Sequence, residues 1–125
     1  MTYALEVASH GKVGVLFKRG LEESSTSWAQ GGIAAVSTAD DDYNLHIQDT
    51  IISGAGLCKP EIVEMVVREA PQRIEKLVSL GVSFDKDKKG GKFHLNQEGG
   101  HSKRRIYHAA DHTGYVILQS LLAAV

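Results

Sequence analysis

With 125 residues, 42% of them apolar, and a formal charge of -1, the chain is one domain or part of one, with enough apolar content for a core. That charge gives no reason to expect nucleic acid or an anionic membrane as a partner, and the one basic cluster, Lys103-Arg104-Arg105, is short and flanked by histidine and apolar residues. The single cysteine, Cys58, excludes an intramolecular disulfide; with no apolar stretch of membrane-spanning length and no basic-then-apolar start, the expected compartment is the cytoplasm.

In chain order, residues 2–9 read as a helix carrying Ala4, Leu5, Val7 and Ala8, with Gly11 as its C-cap. Residues 12–18 follow as a buried strand, by length and β-branched content, so the opening reads as the second half of a βαβ unit. No strand and no Gly-x-Gly-x-x-Gly turn precede them, and the chain is expected to begin inside the first helix of such a unit. Residues 37–42 form a polar, acidic loop. Residues 43–53 place Leu45, Ile47, Thr50, Ile51 and Ile52 on a helix face, and Gly54-Ala55-Gly56 reads as the cap of that helix, because it follows no strand. Cys58 reads as a small buried residue.

Pro60 suits the first position of the next helix. Pro71 breaks or restarts it, and Gly81 closes the continuation. Segments 82–85 and 92–95 read as two short strands about the turn Lys89-Gly90-Gly91. Asp111 or Thr113 caps a last helix over 114–125, which ends on an unbroken apolar run as though the chain were cut there.

The most informative stretch is residues 25–36, where Ser25, Thr26 and Ser27 lead through Trp28, Ala29 and Gln30 to Gly31-Gly32 and an apolar segment. Hydroxyls and backbone N–H groups at a helix start suit an anionic ligand. A glycine pair lets backbone approach a flat ligand closely. A Ser-capped helix ending at a glycine explains the same residues, and the two readings stand level on physics alone. His108 and His112, four apart, share the spacing of a metal pair, but no glutamate neighbours His108 and no third ligand is evident, so no metal is expected. His10, His46 and His94 have no nameable partner and read as surface or boundary residues.

The run through Ala29-Gln30-Gly31-Gly32-Ile33 resembles the flavin-contacting segment of the succinate dehydrogenase, fumarate reductase and L-aspartate oxidase superfamily. A second block, Glu98-Gly99-Gly100-His101-Ser102-Lys103-Arg104-Arg105-Ile106, leads into His108-Ala109-Ala110-Asp111-His112-Thr113-Gly114. Both blocks are similar to the L-aspartate oxidase family, in the same order and at about the same spacing.

That resemblance implies an α/β fold: an incomplete doubly wound, Rossmann-like FAD-binding domain lacking its first strand and glycine turn, with added helices and a short β-hairpin. Residues 1–36 would be the remainder of the βαβ unit and the flavin loop, and 37–125 a helical insertion, hairpin and substrate-side loop. It implies FAD contacts at Lys18, Ser25, Thr26, Ser27, Trp28, Ala29, Gln30, Gly31 and Gly32. Succinate dehydrogenases carry a histidine at the place of Ser25 that bonds covalently to the flavin; serine does not, so the FAD would be non-covalent. Glu98 would orient the substrate, its carboxylate offsetting the ammonium that distinguishes L-aspartate from succinate. His101, Arg104 and Arg105 are substrate-side candidates, arginine forks being suited to carboxylates, although most of this run is expected to position the loop.

The function implied is oxidation of L-aspartate to iminoaspartate by hydride transfer to FAD, with oxygen or fumarate as acceptor and a link to quinolinate synthase in NAD biosynthesis. Lacking the pyrophosphate turn, the capping domain and its arginine, the isolated chain is expected to be inactive. The alternatives are a piece of a fumarate reductase or succinate dehydrogenase flavoprotein, disfavoured by Ser25 and Glu98, and a non-catalytic remnant or weak FAD-binding module.

Overall fold

The computed structural model describes residues 1–88 and 91–125. Among the described residues there are four α-helices, α1 (Thr2–Val7), α2 (Tyr43–Ser53), α3 (Pro60–Ser79) and α4 (Thr113–Ala123), a 3-10 turn at Ala8–His10 after α1, and three two-residue strands, β1 (Ile33–Ala34), β2 (Leu95–Asn96) and β3 (Ile106–Tyr107). The strands form an antiparallel sheet in the order β1-β3-β2, with Ile33 and Leu95 both opposite Tyr107. β3 is thus the central strand, and it carries the end of the second sequence block onto the end of the first.

Local chemistry explains the boundaries of α2 and α3. Asp42 caps α2, accepting from the N–H groups of Asn44 at 2.7 Å and Leu45 at 3.0 Å. Beyond α2, Gly54 is the C-cap and the chain turns through positive φ at Ala55 and Gly56. α3 opens at Pro60 and ends in a Schellman motif, in which Gly81 at φ +94° allows Val82 N to donate to Leu77 O and Gly81 N to Val78 O, each at 3.0 Å. Along α3, Val63, Val67, Ala70, Ile74 and Leu77 form the inward stripe, while Glu64–Arg68 and Glu69–Arg73 pair on the exposed side at 2.8 and 2.6 Å.

Pro71 does not divide α3, which runs through it as one twenty-residue helix. Proline removes one ladder bond at a cost of about 3 kcal/mol, but the inward stripe continues in register on both sides, with Val67 and Ile74 buried. Burial on either side outweighs the local defect.

The core comprises Ala35, Ile74, Val82, Phe84, Tyr107, Ile117 and Leu121. Phe84, Phe93 and Tyr107 meet edge to face, with ring centroids 5.3–6.2 Å apart.

Three further expectations need correction. Residues 12–18 form no strand and lie exposed, Leu16 being 98% accessible; β-branched content supplies propensity, but a strand exists only through a ladder, and among the described residues none pairs with this segment. The hairpin is shorter than expected, with one bridge between Lys86 and Phe93, and segment 82–85 is not a strand; its turn residues Lys89 and Gly90 lie outside the described residues. Neither Asp111 nor Thr113 caps α4: His112 is the N-cap, without a side-chain bond.

Candidate functional site

Residues 25–28 form turns in place of a helix. Ser24 organises them, its hydroxyl accepting from Ser27 N at 3.2 Å and its carbonyl from Trp28 N at 3.3 Å. Ser25, Thr26 and Gln30 are exposed, and Trp28 is 75% accessible. Lys18 shares an open hollow of about 620 Å³ with Arg19, Ser24, Ser25 and Trp28. A second hollow, of about 740 Å³, lies beside Ser27, Trp28, Ala29 and Gln30, against His112 and Tyr115 near the start of α4.

The structure brings the two sequence blocks together. Gly114 N donates to Ala29 O at 2.9 Å. The Thr113 hydroxyl donates to Gly31 O at 2.6 Å and accepts from Ala109 N at 3.0 Å, so it bridges both blocks. A Cβ on Gly31 would lie 3.3 Å from Glu98 Oε1, which places the exposed Glu98 carboxylate against Gly31. At Gly32 the demand for glycine comes from protein: a Cβ there would collide with the Tyr107 carbonyl and the Ile106 side chain of β3.

Arg105 lies elsewhere than at an open substrate face. Its side chain is fully buried, forked onto Asp41 through Nε at 2.8 Å and Nη2 at 2.7 Å, and bonded to Asp49 through Nη1 at 2.6 Å. Burial opposes its charge, yet the two carboxylates raise its pKa above the usual arginine value. Burial likewise works against the Asp49 carboxylate. It is outweighed by donation from Ser102 N, Arg105 and the Ser102 hydroxyl, which hold its pKa below the ordinary range. His101 is half-buried, with Nδ1 3.4 Å from Arg105 Nη1 and its ring 5.5 Å from that of His46. His46, read from the sequence as a surface or boundary residue, is buried there; burial, followed by the nearby charges of Arg105 and His101, lowers its pKa. Arg104 remains exposed, with one long bond to Leu95 O at 3.4 Å.

His108 and His112 do not converge. His108 Nε2 lies 2.9 Å from His94 Nδ1, and Asp85 stands 3.2 Å from its Nδ1 without hydrogen-bond alignment. His112 sits exposed beside Asp111. Among the described residues no group of three or more metal-ligating side chains forms, and no helix is long and apolar enough to cross a membrane.

Sequence reasoning gave no site role to Asp41, Asp49, Ser102 or Thr113.

The fold also occurs in solved structures. The structure superposes on Mycobacterium smegmatis Sdh1 with TM-score 0.87 at 31% identity, over 97% of this chain and 21% of that one. It superposes on E. coli quinol fumarate reductase FrdA with TM-score 0.77 at 30% identity, over 82% and 17%. The FAD binding domain family matches residues 1–125, and the chain belongs to that family. L-aspartate oxidase 2-a, chloroplastic, of Nicotiana tabacum is 51% identical over 125 residues, 100% of this chain and 19% of its own length. L-aspartate oxidase 1 of Ralstonia nicotianae is 44% identical over 126 residues, 100% and 24%. The chain therefore spans about a fifth of the length of the curated relatives it matches.

FAD is the cofactor this family implies, and the donor set fits it. Lys18 supplies positive charge in the hollow that Ser25 lines, where Arg19 is paired with Glu23 at 3.6 Å. Among the described residues the backbone N–H groups of Ser25, Thr26 and Gly31 have no protein acceptor. Backbone donors without a protein acceptor, next to hydroxyl side chains and a lysine, are chemistry that suits a phosphate-bearing cofactor.

Proposed function

We propose that this chain is the flavin-loop and substrate-loop portion of an L-aspartate oxidase. The observation that carries the reading is the seating of the Glu98 carboxylate against Gly31, with Thr113 clamping the same glycine from the other block. In this reading the chain is part of a doubly wound FAD domain, with residues 1–36 its flavin-loop portion and 37–125 its helical, hairpin and substrate-loop portion. FAD, when bound, supplies the hydride acceptor.

The chain's own residues then have distinct tasks. Lys18 and the hydroxyls of Ser25, Thr26 and Ser27 hold the cofactor without a covalent link, and Trp28, Ala29, Gln30, Gly31 and Gly32 lie along it. Glu98 accepts the ammonium group of L-aspartate; facing succinate, it meets only two like-charged carboxylates. Arg104, whose guanidinium is exposed, is better placed than Arg105 to meet a substrate carboxylate. His101 supports the loop. The acceptor that completes turnover is oxygen or fumarate, and iminoaspartate passes to quinolinate synthase in NAD biosynthesis. The proposed compartment is the cytoplasm, although the tobacco relative is described as chloroplastic.

A fumarate reductase or succinate dehydrogenase flavoprotein is the second reading, supported by the superposition on Sdh1 and FrdA. Anaerobic flavin reduction separates the two in a complete flavoprotein carrying this segment in place of the matching part of the Ralstonia enzyme. L-aspartate is expected to be the better reductant. Glu98→Gln is expected to lower kcat/KM for aspartate about tenfold or more, the scale of one charge-assisted hydrogen bond, and to leave succinate unharmed. Preference for succinate would replace the first reading with the second. The 125-residue chain alone is expected to show no aspartate-dependent flavin bleaching, and measurable bleaching would overturn that expectation.

A further inference from the structure

We infer that Asp49 of α2 is a positioning residue that sets the Glu98 loop against the flavin loop, an inference that rests on the substrate-side role proposed for Glu98. One oxygen, Asp49 Oδ2, receives three donors: Ser102 N at 2.8 Å, Ser102 Oγ at 2.8 Å and Arg105 Nη1 at 2.6 Å. The last of these ties it to a side chain that is itself locked by Asp41. Asp49 therefore joins α2 and the buried cation to the loop through both backbone and hydroxyl of Ser102.

The loop transmits that constraint because it is closed upon itself. His101 N donates to Glu98 O at 3.2 Å, and Gln97 Nε2 to His101 O at 2.8 Å. Gly100 adopts φ +83°, and a Cβ there would stand 2.6 Å from Ser53 Oγ, one helical turn beyond Asp49. Asp49 and Ser53 thus present one face of α2 to the loop. On the opposite side Glu98 meets Gly31. The loop is held between helix and flavin turn, and its height above that turn follows from where α2 grips it. The flavin turn has separate anchors, Thr113 and Gly114. Loss of Asp49 should therefore misplace Glu98 while leaving the cofactor loop seated.

Two sets of measurements test this. In the complete flavoprotein carrying this segment, Asp49→Ala is expected to raise KM for L-aspartate about tenfold, matching the loss of a charged hydrogen-bond centre. The value of kcat should change less, and FAD affinity and succinate kinetics should be retained. Asp49→Asn, which keeps one acceptor oxygen, should restore part of the loss, and Ser102→Ala should give a smaller shift of the same kind. In the 125-residue chain, amide exchange at 98–102 should accelerate in Asp49→Ala while 25–32 remains unchanged.

An unaltered aspartate KM in Asp49→Ala, with Glu98→Gln impaired, would overturn the positioning role and leave the reading of Glu98 standing. An unimpaired Glu98→Gln would remove that reading and this inference with it. Equal losses of FAD affinity and of activity toward both substrates would mark Asp49 as merely structural. If Asp49→Ala fails to fold, Ser102→Ala decides, and an unchanged KM there also overturns the role.

Discussion

Arg105→Ala is expected to destabilise the chain by about 3–5 kcal/mol, the cost of removing one partner from a buried ion cluster. The loss comes chiefly from what is left behind. Asp41 is as inaccessible as Arg105 at the side-chain level, and both its oxygens face the guanidinium. Without that fork, a buried carboxylate must remain charged without its cation or take up a proton, and Asp49 loses its shortest bond. Because domains of this size are held by only about 5–15 kcal/mol, a single truncation of this kind approaches complete unfolding. Arg105→Lys should recover little, because an ammonium cannot reproduce two parallel bonds to Asp41 and a third to Asp49. Arg105→Met combined with Asp41→Leu should be more stable than Arg105→Ala, since it removes the stranded charge along with its partner. Equilibrium urea unfolding followed by circular dichroism measures all three. A loss below about 0.5 kcal/mol in Arg105→Ala, the range of ordinary surface substitutions, would refute a buried cluster.

That cluster also marks where sequence reasoning stops. Lys103-Arg104-Arg105 reads as three equivalent basic residues, and an arginine next to a substrate-family motif invites a role on carboxylates. Nothing local distinguishes Arg104, which stays exposed, from Arg105, whose partners lie 56 and 64 residues earlier in the chain. The distinction is topological, because β3 begins immediately after Arg105, so the side chain is directed into the space beneath α2.

Features governed by nearby residues were legible. The span 43–53 and the start at Pro60 follow from helix periodicity and proline, and the close of α3 at Gly81 from the need for positive φ. Features that depend on a distant partner were not. Residues 12–18 have strand composition without a strand, and Pro71 is overruled by the stripe on either side of it. The two resemblance blocks were visible as words, but their contact through Gly31, Glu98 and Thr113 is a property of the fold alone. Gly32 shows the difference most plainly. Its glycine suggested a flat ligand, whereas the obstructing atoms belong to β3.

Gly114→Ala should separate the proposed flavin loop from the helix that carries it, with the opposite sign to helix propensity. In an isolated helix the change from glycine to alanine gains about 1 kcal/mol. Here the added Cβ would overlap the Thr26 carbonyl and would also lie 2.8 Å from Ala29 Cβ and 3.0 Å from Ala29 O. Two of those three neighbours are backbone oxygens, which cannot swing aside as a long side chain does. The start of α4 must move away, and the 2.9 Å bond from residue 114 N to Ala29 O lengthens with it. An overpacking penalty of about 1–3 kcal/mol should exceed the propensity gain and lower the melting temperature. In the complete flavoprotein, displacement of residues 25–30 should weaken FAD about tenfold or more, equivalent to about 1.4 kcal/mol or more of lost contacts. Trp28 is the chain's only tryptophan and lies on the displaced turn, so its emission reports the movement without a cofactor. Gly14→Ala is the matched control, because a Cβ there meets nothing within 4 Å. If Gly114→Ala raises the melting temperature and leaves Trp28 emission and FAD affinity unchanged, α4 does not hold the flavin loop. The close approach at Gly114 would then be dispensable, and the joining of the two sequence blocks would rest on Thr113, the β1–β3 pairing and the approach of Glu98 to Gly31.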